Sequence, residues 1–199
     1  NKAYEKENNS YGLTTLRGKH VKVRGNKIKF SFKGKSGVYH ELGVTNSRVA
    51  KTIKRCIELP GYKLFRYLDD DGEKQMVDSQ DVNEYLHNLA GELMSAKDFR
   101  TWGGTTIAGT TLYNLGAPSS KDEVKAALSQ TIEEVAGHLG NTVAVCKEYY
   151  IHPKVLKSYE DGTLFPFFDK IYKSDKKHSD RMPLGEYATW MLLQDDLHQ

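Results

Sequence analysis

Cysteine and long apolar segments are both scarce in this sequence. Only Cys56 and Cys146 are present, too few for the disulfide framework of a small secreted fold. A transmembrane helix needs about 20 consecutive apolar residues, and no such run occurs in a chain of which 38% is hydrophobic. No charged-then-apolar leader opens the sequence either. We therefore expect a protein of the reducing cytoplasm that has no membrane partner.

Motifs for binding metals and nucleotides are absent as well. The 7 histidines are not paired with cysteine or glutamate at the spacings of metal ligands. No glycine-rich phosphate loop of the Walker type occurs. The sequence therefore implies no metal, no ATP and no other small-molecule cofactor.

Positive charge is concentrated in the first third of the chain. Residues 1–66 contain 16 Lys and Arg against 4 Asp and Glu, a net charge of +12. Residues 67–199 contain 13 against 22, a net charge of −9. Basic side chains that neutralise phosphates release counterions and dominate affinity for nucleic acids. The first third is thus expected to bind a polyanion, with a merely solvated basic face as the alternative.

Hydrophobic periodicity predicts a small antiparallel sheet within this basic region. Residues 20–23, 27–32 and 38–42 alternate apolar with polar side chains, which is typical of half-buried strands. Gly25-Asn26 and the glycine-bounded segment 34–37 separate them as turns.

Most of the remaining chain has the period of α-helices. Ser79 is the predicted N-cap of one helix, and Ser120 with Glu123 forms a predicted capping box that opens another. Gly140 is the predicted stop of that second helix. The tail from Ser158 onward is expected to form one or two helices around a loop at 170–181.

Tyrosine is common here, with 12 in the chain, so any one of them is most simply a packing residue. Tyr150 differs by its setting, because Leu139-Gly140-Asn141 precedes it and Tyr150 lies nine positions after Asn141. This spacing resembles the L-G-H-x8-Y signature shared by tyrosine recombinases and type IB DNA topoisomerases. The longer stretch 139–153 resembles the pattern of bacterial type IB topoisomerases.

Two further segments carry the same resemblance. Residues 97–105, KDFRTWGGT, resemble the D-[LF]-R-T-[YW] motif of the family, and Gly103-Gly104 within them marks a kink or a close-packing site. Residues 32–41 resemble its F-x-G-K hairpin. The resemblance covers roughly residues 1–153 and keeps the family order.

It implies an α+β, mostly helical catalytic domain in which a small antiparallel sheet packs on a helical core. Its expected parts are the sheet subregion, the helical catalytic core and a C-terminal helical extension, at residues 1–45, 46–153 and 154–199.

The resemblance also implies a role for four residues. Tyr150 is the expected nucleophile, although a phenol with a pKa near 10 needs help to attack a phosphodiester. Arg100 would hold two non-bridging phosphate oxygens with its planar fork of donors. Lys35 would protonate the departing 5′ oxygen. Asn141 stands where many relatives have histidine, so it can donate a hydrogen bond but cannot exchange a proton.

Each role has an alternative. Arg100 could form a surface ion pair with Asp98, and Lys35 could make only nonspecific phosphate contacts. His138 is a second candidate for the histidine position, although the nine-residue spacing favours Asn141. Tyr149 is a rival nucleophile at the wrong spacing.

A further catalytic arginine of the family is not in this chain. In the family it belongs to an R-x-G stretch just before a segment like the one that opens the chain at Asn1, so it would fall upstream. Arg17 and Arg24 lie in the wrong context to replace it. We expect this arginine, and the N-terminal lobe that completes the clamp around DNA, to be missing from residues 1–199.

The resemblance therefore implies an isomerase that relaxes supercoiled double-stranded DNA in the cytoplasmic nucleoid. It would act as a monomer through a 3′-phosphotyrosyl intermediate. A tyrosine recombinase or integrase is one alternative, but recombinases usually have H-x-x-R where this chain has Lys97 before Arg100. A noncatalytic DNA-binding module is the other.

Overall fold

The computed structural model describes residues 9–91, 94–174 and 182–195. The chain forms two compact units, Asn1–Ser95 and Ala96–Gln199. The described part of the first unit contains strands and two helices, in the order β1 (Val21–Arg24), β2 (Lys27–Lys33), β3 (Tyr39–Thr45), α1 (Ser47–Glu58), β4 (Arg66–Leu68), β5 (Lys74–Met76) and α2 (Ser79–Ala90). The second unit is helical where described, with α3 (Ala96–Leu115), α4 (Lys121–Leu139), α5 (Val143–Tyr149), α6 (Pro153–Glu160), α7 (Leu164–Ser174) and α8 (Leu184–Gln194). The predicted α+β class is confirmed, while the divisions expected after residues 45 and 153 stay predictions.

The predicted antiparallel sheet is present as β1-β2-β3. Val21 pairs with Phe30, and Phe30 with Leu42. Val21 and Ile28 point into a core cluster that also contains Ile53 of α1. Because side chains alternate across a strand, the opposite face carries exposed basic residues, here called the basic sheet face: Lys22, Arg24, Lys27, Lys29 and Lys33.

A second sheet was not predicted. Strands β4 and β5 are three residues each and pair in antiparallel fashion. Segments this short show no periodicity, so their sequence does not reveal them. The turn between them is held by Asp69, whose Oδ1 accepts from the backbone N–H groups of Asp71 at 3.2 Å and Glu73 at 2.8 Å.

Two predicted helix starts differ in detail from the structure. The N-cap of α2 is Asp78 rather than Ser79, because the Asp78 carboxylate accepts from the N–H groups of Gln80 and Asp81. A carboxylate is the stronger acceptor at a helix start, where the dipole favours negative charge.

The cap of α4 is confirmed at Ser120, whose hydroxyl accepts from the Glu123 N–H at 3.2 Å. The reciprocal bond of the predicted capping box is shifted by one residue. Glu123 accepts from the N–H of Ser119 at 2.7 Å, instead of the N–H of Ser120.

All six helices in the described part of the second unit contribute to its core. Its largest fully buried side chains include Tyr159, Phe168 and Leu112. The tail is helical as predicted, in α7 and α8. The loop expected at 170–181 is wrong for residues 170–174, which belong to α7, and residues 175–181 lie outside the described residues. None of the helices in the described ranges is long and apolar enough to cross a membrane.

Helix α8 packs closely along α3. A Cβ atom on Gly109 would lie 2.6 Å from Thr189 Oγ1, so any larger residue at this crossing would force the Thr189 side chain to move. At the start of α8, Glu186 Oε1 accepts from the indole N–H of Trp102 at 2.5 Å. Helix α3 is thereby fixed along its length by the last described helix of the chain.

Candidate active site

Three of the four predicted catalytic residues lie close together in the second unit. Arg100 is near the start of α3, Asn141 follows α4, and Tyr150 follows α5. Helix α3 runs beside the segment that carries the other two. The fourth, Lys35, lies in the first unit.

Asn141 is held by the way α4 ends. Gly140 adopts the left-handed conformation, with φ 62° and ψ 41°, which glycine enters without a steric penalty. The N–H of Asn141 then donates to the Ala136 carbonyl at 3.1 Å, the bond that closes a Schellman ending. Thr142 caps the start of α5 immediately afterwards, so Asn141 is fixed between two helix ends.

The side chain of Asn141 has an unused donor. Its Nδ2 atom is buried and has no hydrogen-bond partner among the residues the structure describes. A buried donor without a partner costs about 1–3 kcal/mol. An acceptor that enters this site would remove that cost.

Arg100 joins the end of α4 to Tyr150. Its Nη2 atom donates to the Leu139 carbonyl at 2.7 Å, and its Cζ atom lies 5.2 Å from the centre of the Tyr150 ring. Burial raises the pKa of the Cys146 thiol, and the positive charge of Arg100 opposes that rise. One of its five N–H groups is used by Leu139, and the exposed side chain has others to offer a ligand.

Tyr150 and Tyr149 have different surroundings. Tyr150 closes α5 through its N–H bond to the Cys146 carbonyl at 3.0 Å and is partly buried. Tyr149 is 51% exposed, and a hydrogen bond with Glu148 raises its pKa. The ammonium of Lys97 lies 5.5 Å from its ring centre. The raised pKa makes the Tyr149 phenol harder to deprotonate than an ordinary tyrosine.

Helix α3 also contacts the backbone around Tyr150. A Cβ atom on Gly104 would overlap the Tyr150 carbonyl oxygen, so the close-packing interpretation of this glycine pair is confirmed at Gly104. The Thr105 hydroxyl accepts from the His152 N–H at 3.0 Å, and the Thr101 hydroxyl lies 3.4 Å from the Tyr149 carbonyl. No sequence pattern indicated the Thr105 contact, because it joins residues 47 positions apart.

His138, the second candidate for the histidine position, is exposed in the last turn of α4. Its Nδ1 atom lies 3.0 Å from the Glu134 carbonyl of the same helix. This contact is local to α4 and does not reach Arg100 or Tyr150.

Lys35 occupies the tip of the β2–β3 hairpin. The tip is a single 3-10 turn, Lys35–Gly37, closed by the Gly34 N–H bond to the Val38 carbonyl at 2.7 Å. Gly37 has a φ of 80°, a conformation that favours glycine. The Lys35 side chain is exposed and extends from the end of the basic sheet face.

Comparisons with known proteins show what this chain is similar to. The family described as the eukaryotic DNA topoisomerase I catalytic core matches residues 1–176. DNA topoisomerase 1B of Acanthamoeba polyphaga mimivirus is 31% identical over 169 residues, which cover 81% of this chain and 50% of that protein. DNA topoisomerase I of Monkeypox virus and DNA topoisomerase 1B of Vaccinia virus (strain Copenhagen) are each 27% identical over 176 residues, covering 86% of this chain and 51% of theirs.

The chain thus spans about half the length of the curated relatives it matches. These relatives are viral, so they do not support the bacterial character that the 139–153 pattern indicated. Because the family match extends over most of the sequence and includes Lys35, Arg100, Asn141 and Tyr150, the chain belongs to the DNA topoisomerase I catalytic-core family.

Proposed function

We propose that this chain is the catalytic domain of a type IB DNA topoisomerase, which relaxes supercoiled duplex DNA by cutting and rejoining one strand. The observation that carries the proposal is the convergence of Arg100, Asn141 and Tyr150 where α3 meets the ends of α4 and α5. A tyrosine, a guanidinium and an unused amide donor together meet the needs of a phosphoryl transfer. The names of the viral relatives support the same reaction.

In the proposed reaction the Tyr150 oxygen attacks the phosphorus of a backbone phosphodiester. The phenolic proton is lost, the bond from phosphorus to the 5′ oxygen breaks, and a 3′-phosphotyrosyl bond forms. The 5′ oxygen takes up a proton and leaves as a hydroxyl. One phosphodiester is exchanged for another, so the reverse attack by the 5′ hydroxyl rejoins the strand without ATP.

Arg100 and Asn141 would stabilise the charge that builds on the non-bridging oxygens. The bond from Arg100 to the Leu139 carbonyl keeps the guanidinium beside the turn that holds Asn141, so both donors can meet one phosphate. The buried Asn141 Nδ2 would gain its missing acceptor from a phosphate oxygen. Donors fixed before the substrate arrives need no reorganisation during the reaction.

Lys35 is proposed to supply the proton for the 5′ oxygen. It is an exposed lysine at a glycine-bounded hairpin tip, which suits insertion into a DNA groove. The basic sheet face of the same sheet would hold the phosphates of the duplex by charge. We propose that one chain acts alone on DNA, as a monomer in the cytoplasmic nucleoid.

Two other functions use parts of the same evidence. A tyrosine recombinase would have the same nucleophile and arginine, but Lys97 stands where recombinases usually have histidine. A noncatalytic DNA-binding module would need only the basic sheet face, and would not need Asn141 to keep an unused buried donor.

The test is a nicked suicide duplex, from which the cut end diffuses away, with the full-length protein that contains this chain. We expect a covalent protein–DNA adduct in the wild type, none in Tyr150→Phe, and an adduct in the matched control Tyr149→Phe. An adduct that persists in Tyr150→Phe would contradict the assigned nucleophile. No adduct in the wild type would favour the noncatalytic alternative.

Relaxation of a supercoiled plasmid separates the two enzymatic functions. A type IB topoisomerase should relax the plasmid as a monomer without magnesium or ATP. A recombinase should need paired sites and an assembly of several subunits.

A further inference from the structure

We propose that Gly104 and Thr105 are positioning residues, through which α3 sets the backbone of the nucleophile Tyr150. The proposal rests on the function proposed above and adds two residues that touch neither DNA nor the reacting atoms. Both lie on the helix that carries Arg100. The nucleophile and its charge-stabilising partner would then be located by one rigid element.

The backbone after Tyr150 needs an outside partner at this point. Helix α5 ends at Tyr149, and α6 begins at Pro153 with His152 as its N-cap. The N–H of His152 therefore has no carbonyl within either helix, and a backbone N–H is a strong donor that folded proteins almost always pair. Thr105 provides it, at 3.0 Å from its Oγ1 atom.

Thr105 is itself fixed. Its side chain is 1% exposed, and β-branching restricts a threonine in a helix to few rotamers. The acceptor for His152 thus has one well-defined place.

Gly104 contacts the nucleophile's own peptide group. An added Cβ would overlap the Tyr150 carbonyl oxygen and would lie 3.3 Å from the Tyr150 carbonyl carbon. Both neighbours are backbone atoms, which cannot turn away as a flexible side chain can. The absence of a side chain at residue 104 sets how closely Tyr150 approaches α3.

The contact residues occupy one stripe of α3. Thr101, Gly104 and Thr105 are spaced i, i+3 and i+4, so they share a face of the helix. Together they contact the segment 149–152 at three successive places. Displacing a reacting group by about 1 Å can cost about 100-fold in rate, so this stripe should affect catalysis as well as stability.

The experiment measures single-turnover cleavage of the nicked suicide duplex by full-length protein. Thr105→Val keeps the shape and removes the acceptor, whereas Thr105→Ser keeps the acceptor. We expect Thr105→Val to lower the cleavage rate constant at saturating DNA by about 10-fold, with an unchanged Kd for the duplex. Thr105→Ser should restore most of the rate.

A matched control exists in the same unit. Thr131 of α4 is also fully buried, but its Oγ1 has no hydrogen-bond partner among the described residues. Thr131→Val should leave the cleavage rate constant unchanged. An equal loss in Thr131→Val and Thr105→Val would overturn the proposal, because it would point to a general effect of the core.

A second pair of variants, at the neighbouring glycines 103 and 104, also tests whether α3 positions the Tyr150 backbone. Gly104→Ala must displace the Tyr150 carbonyl, whereas an added Cβ on Gly103 meets nothing within 4 Å. We expect slower cleavage in Gly104→Ala and a wild-type rate constant in Gly103→Ala. A wild-type rate constant in both Gly104→Ala and Thr105→Val would overturn the proposal.

Hydrogen exchange gives a readout that does not depend on activity. The amide of His152 should exchange faster in Thr105→Val than in the wild type, and at the wild-type rate in Thr131→Val. Unchanged exchange at His152 would count against the contact. If the wild type forms no adduct, the proposed function fails, while exchange at His152 still decides whether Thr105 holds this backbone.

Discussion

The core cluster of the first unit contains 7 buried apolar residues in the described part of the chain, and that of the second unit contains 15. The first unit instead presents five basic side chains on one exposed face of its sheet. Arg100, Asn141 and Tyr150 all belong to the second unit. The basic sheet face thus lies on the unit with the smaller core, and Arg100, Asn141 and Tyr150 lie on the unit with the larger core.

This difference fits the two tasks of the proposed reaction, binding DNA and cleaving it, because each needs a different kind of structure. Long lysine side chains can neutralise phosphates from many positions, because charge attraction is not strongly directional. A phosphoryl transfer needs its groups within fractions of an ångström, which helices packed on a large core provide. We expect substitutions in the first unit to change affinity for DNA, and those around α3 to change the rate of cleavage.

Lys35 is the expected exception to this division between affinity and rate, and its substitution should have the largest effect. It lies in the first unit, yet as a general acid its loss should lower the cleavage rate constant of Lys35→Ala by about 10²–10⁴-fold. A 5′-thio leaving group needs no protonation, so it should restore cleavage. The measurement is single-turnover cleavage of matched oxygen and sulfur substrates.

Lys33→Ala is the control for that experiment, because Lys33 is an exposed lysine on the same hairpin. Lys33 belongs to the basic sheet face, so its loss should change only affinity, and at saturating DNA the variant should keep the wild-type rate constant with both substrates. Failure of the thio substrate to rescue Lys35→Ala would argue against a general acid.

Substitutions inside each core cluster test how much each core contributes to the free energy of unfolding. Phe168→Ala should lower the free energy of unfolding by about 3–5 kcal/mol, because Phe168 is fully buried and the cavity is large. Ile53→Val in the first unit should lower it by about 0.5–1.5 kcal/mol. Trp102 and Trp190 both lie in the second unit, so tryptophan fluorescence in urea reports on that unit. A smaller shift of this signal in Phe168→Ala than in Ile53→Val would contradict the assignment of the larger core.

The smallest expected effect concerns the basic sheet face. The double variant Lys22→Ala/Arg24→Ala removes two positive charges that are proposed to contact phosphates. The slope of log K against log salt should therefore become shallower by about 2, at about 0.9 per phosphate contact. The cleavage rate constant at saturating DNA should stay at the wild-type value.

Lys125→Ala, at an exposed lysine of α4, is the control for the salt dependence. It should leave the slope unchanged. An equal change of slope in this control would show that the basic sheet face has no special role in binding DNA.

Sequence patterns were sufficient where the signal is local. Alternation predicted the three strands, and Ser120 and Gly140 marked the ends of α4, because caps act within one turn. The spacing from Asn141 to Tyr150 is also local, because a single short helix, α5, separates the two residues. Ser79 was the wrong N-cap, because the neighbouring Asp78 is a stronger acceptor.

The remaining features depend on contacts between distant parts of the chain. The bond from Thr105 to His152 and the fit of Gly104 against Tyr150 exist only once α3 packs beside α5 and α6. The unused donor of Asn141 likewise results from tertiary burial. No periodicity or motif encodes such contacts, so the positioning of the candidate site could not be predicted.

Helix α8 has a practical consequence for choosing where to shorten this protein. The family match ends at residue 176, whereas Glu186 and Thr189 of α8 hold the helix that carries Arg100. A truncation guided by sequence similarity alone would therefore remove α8 from α3 and take Ala188 and Leu192 out of the core cluster. We expect the shortest fragment that folds on its own to include α8, and so to be longer than the segment that matches the family.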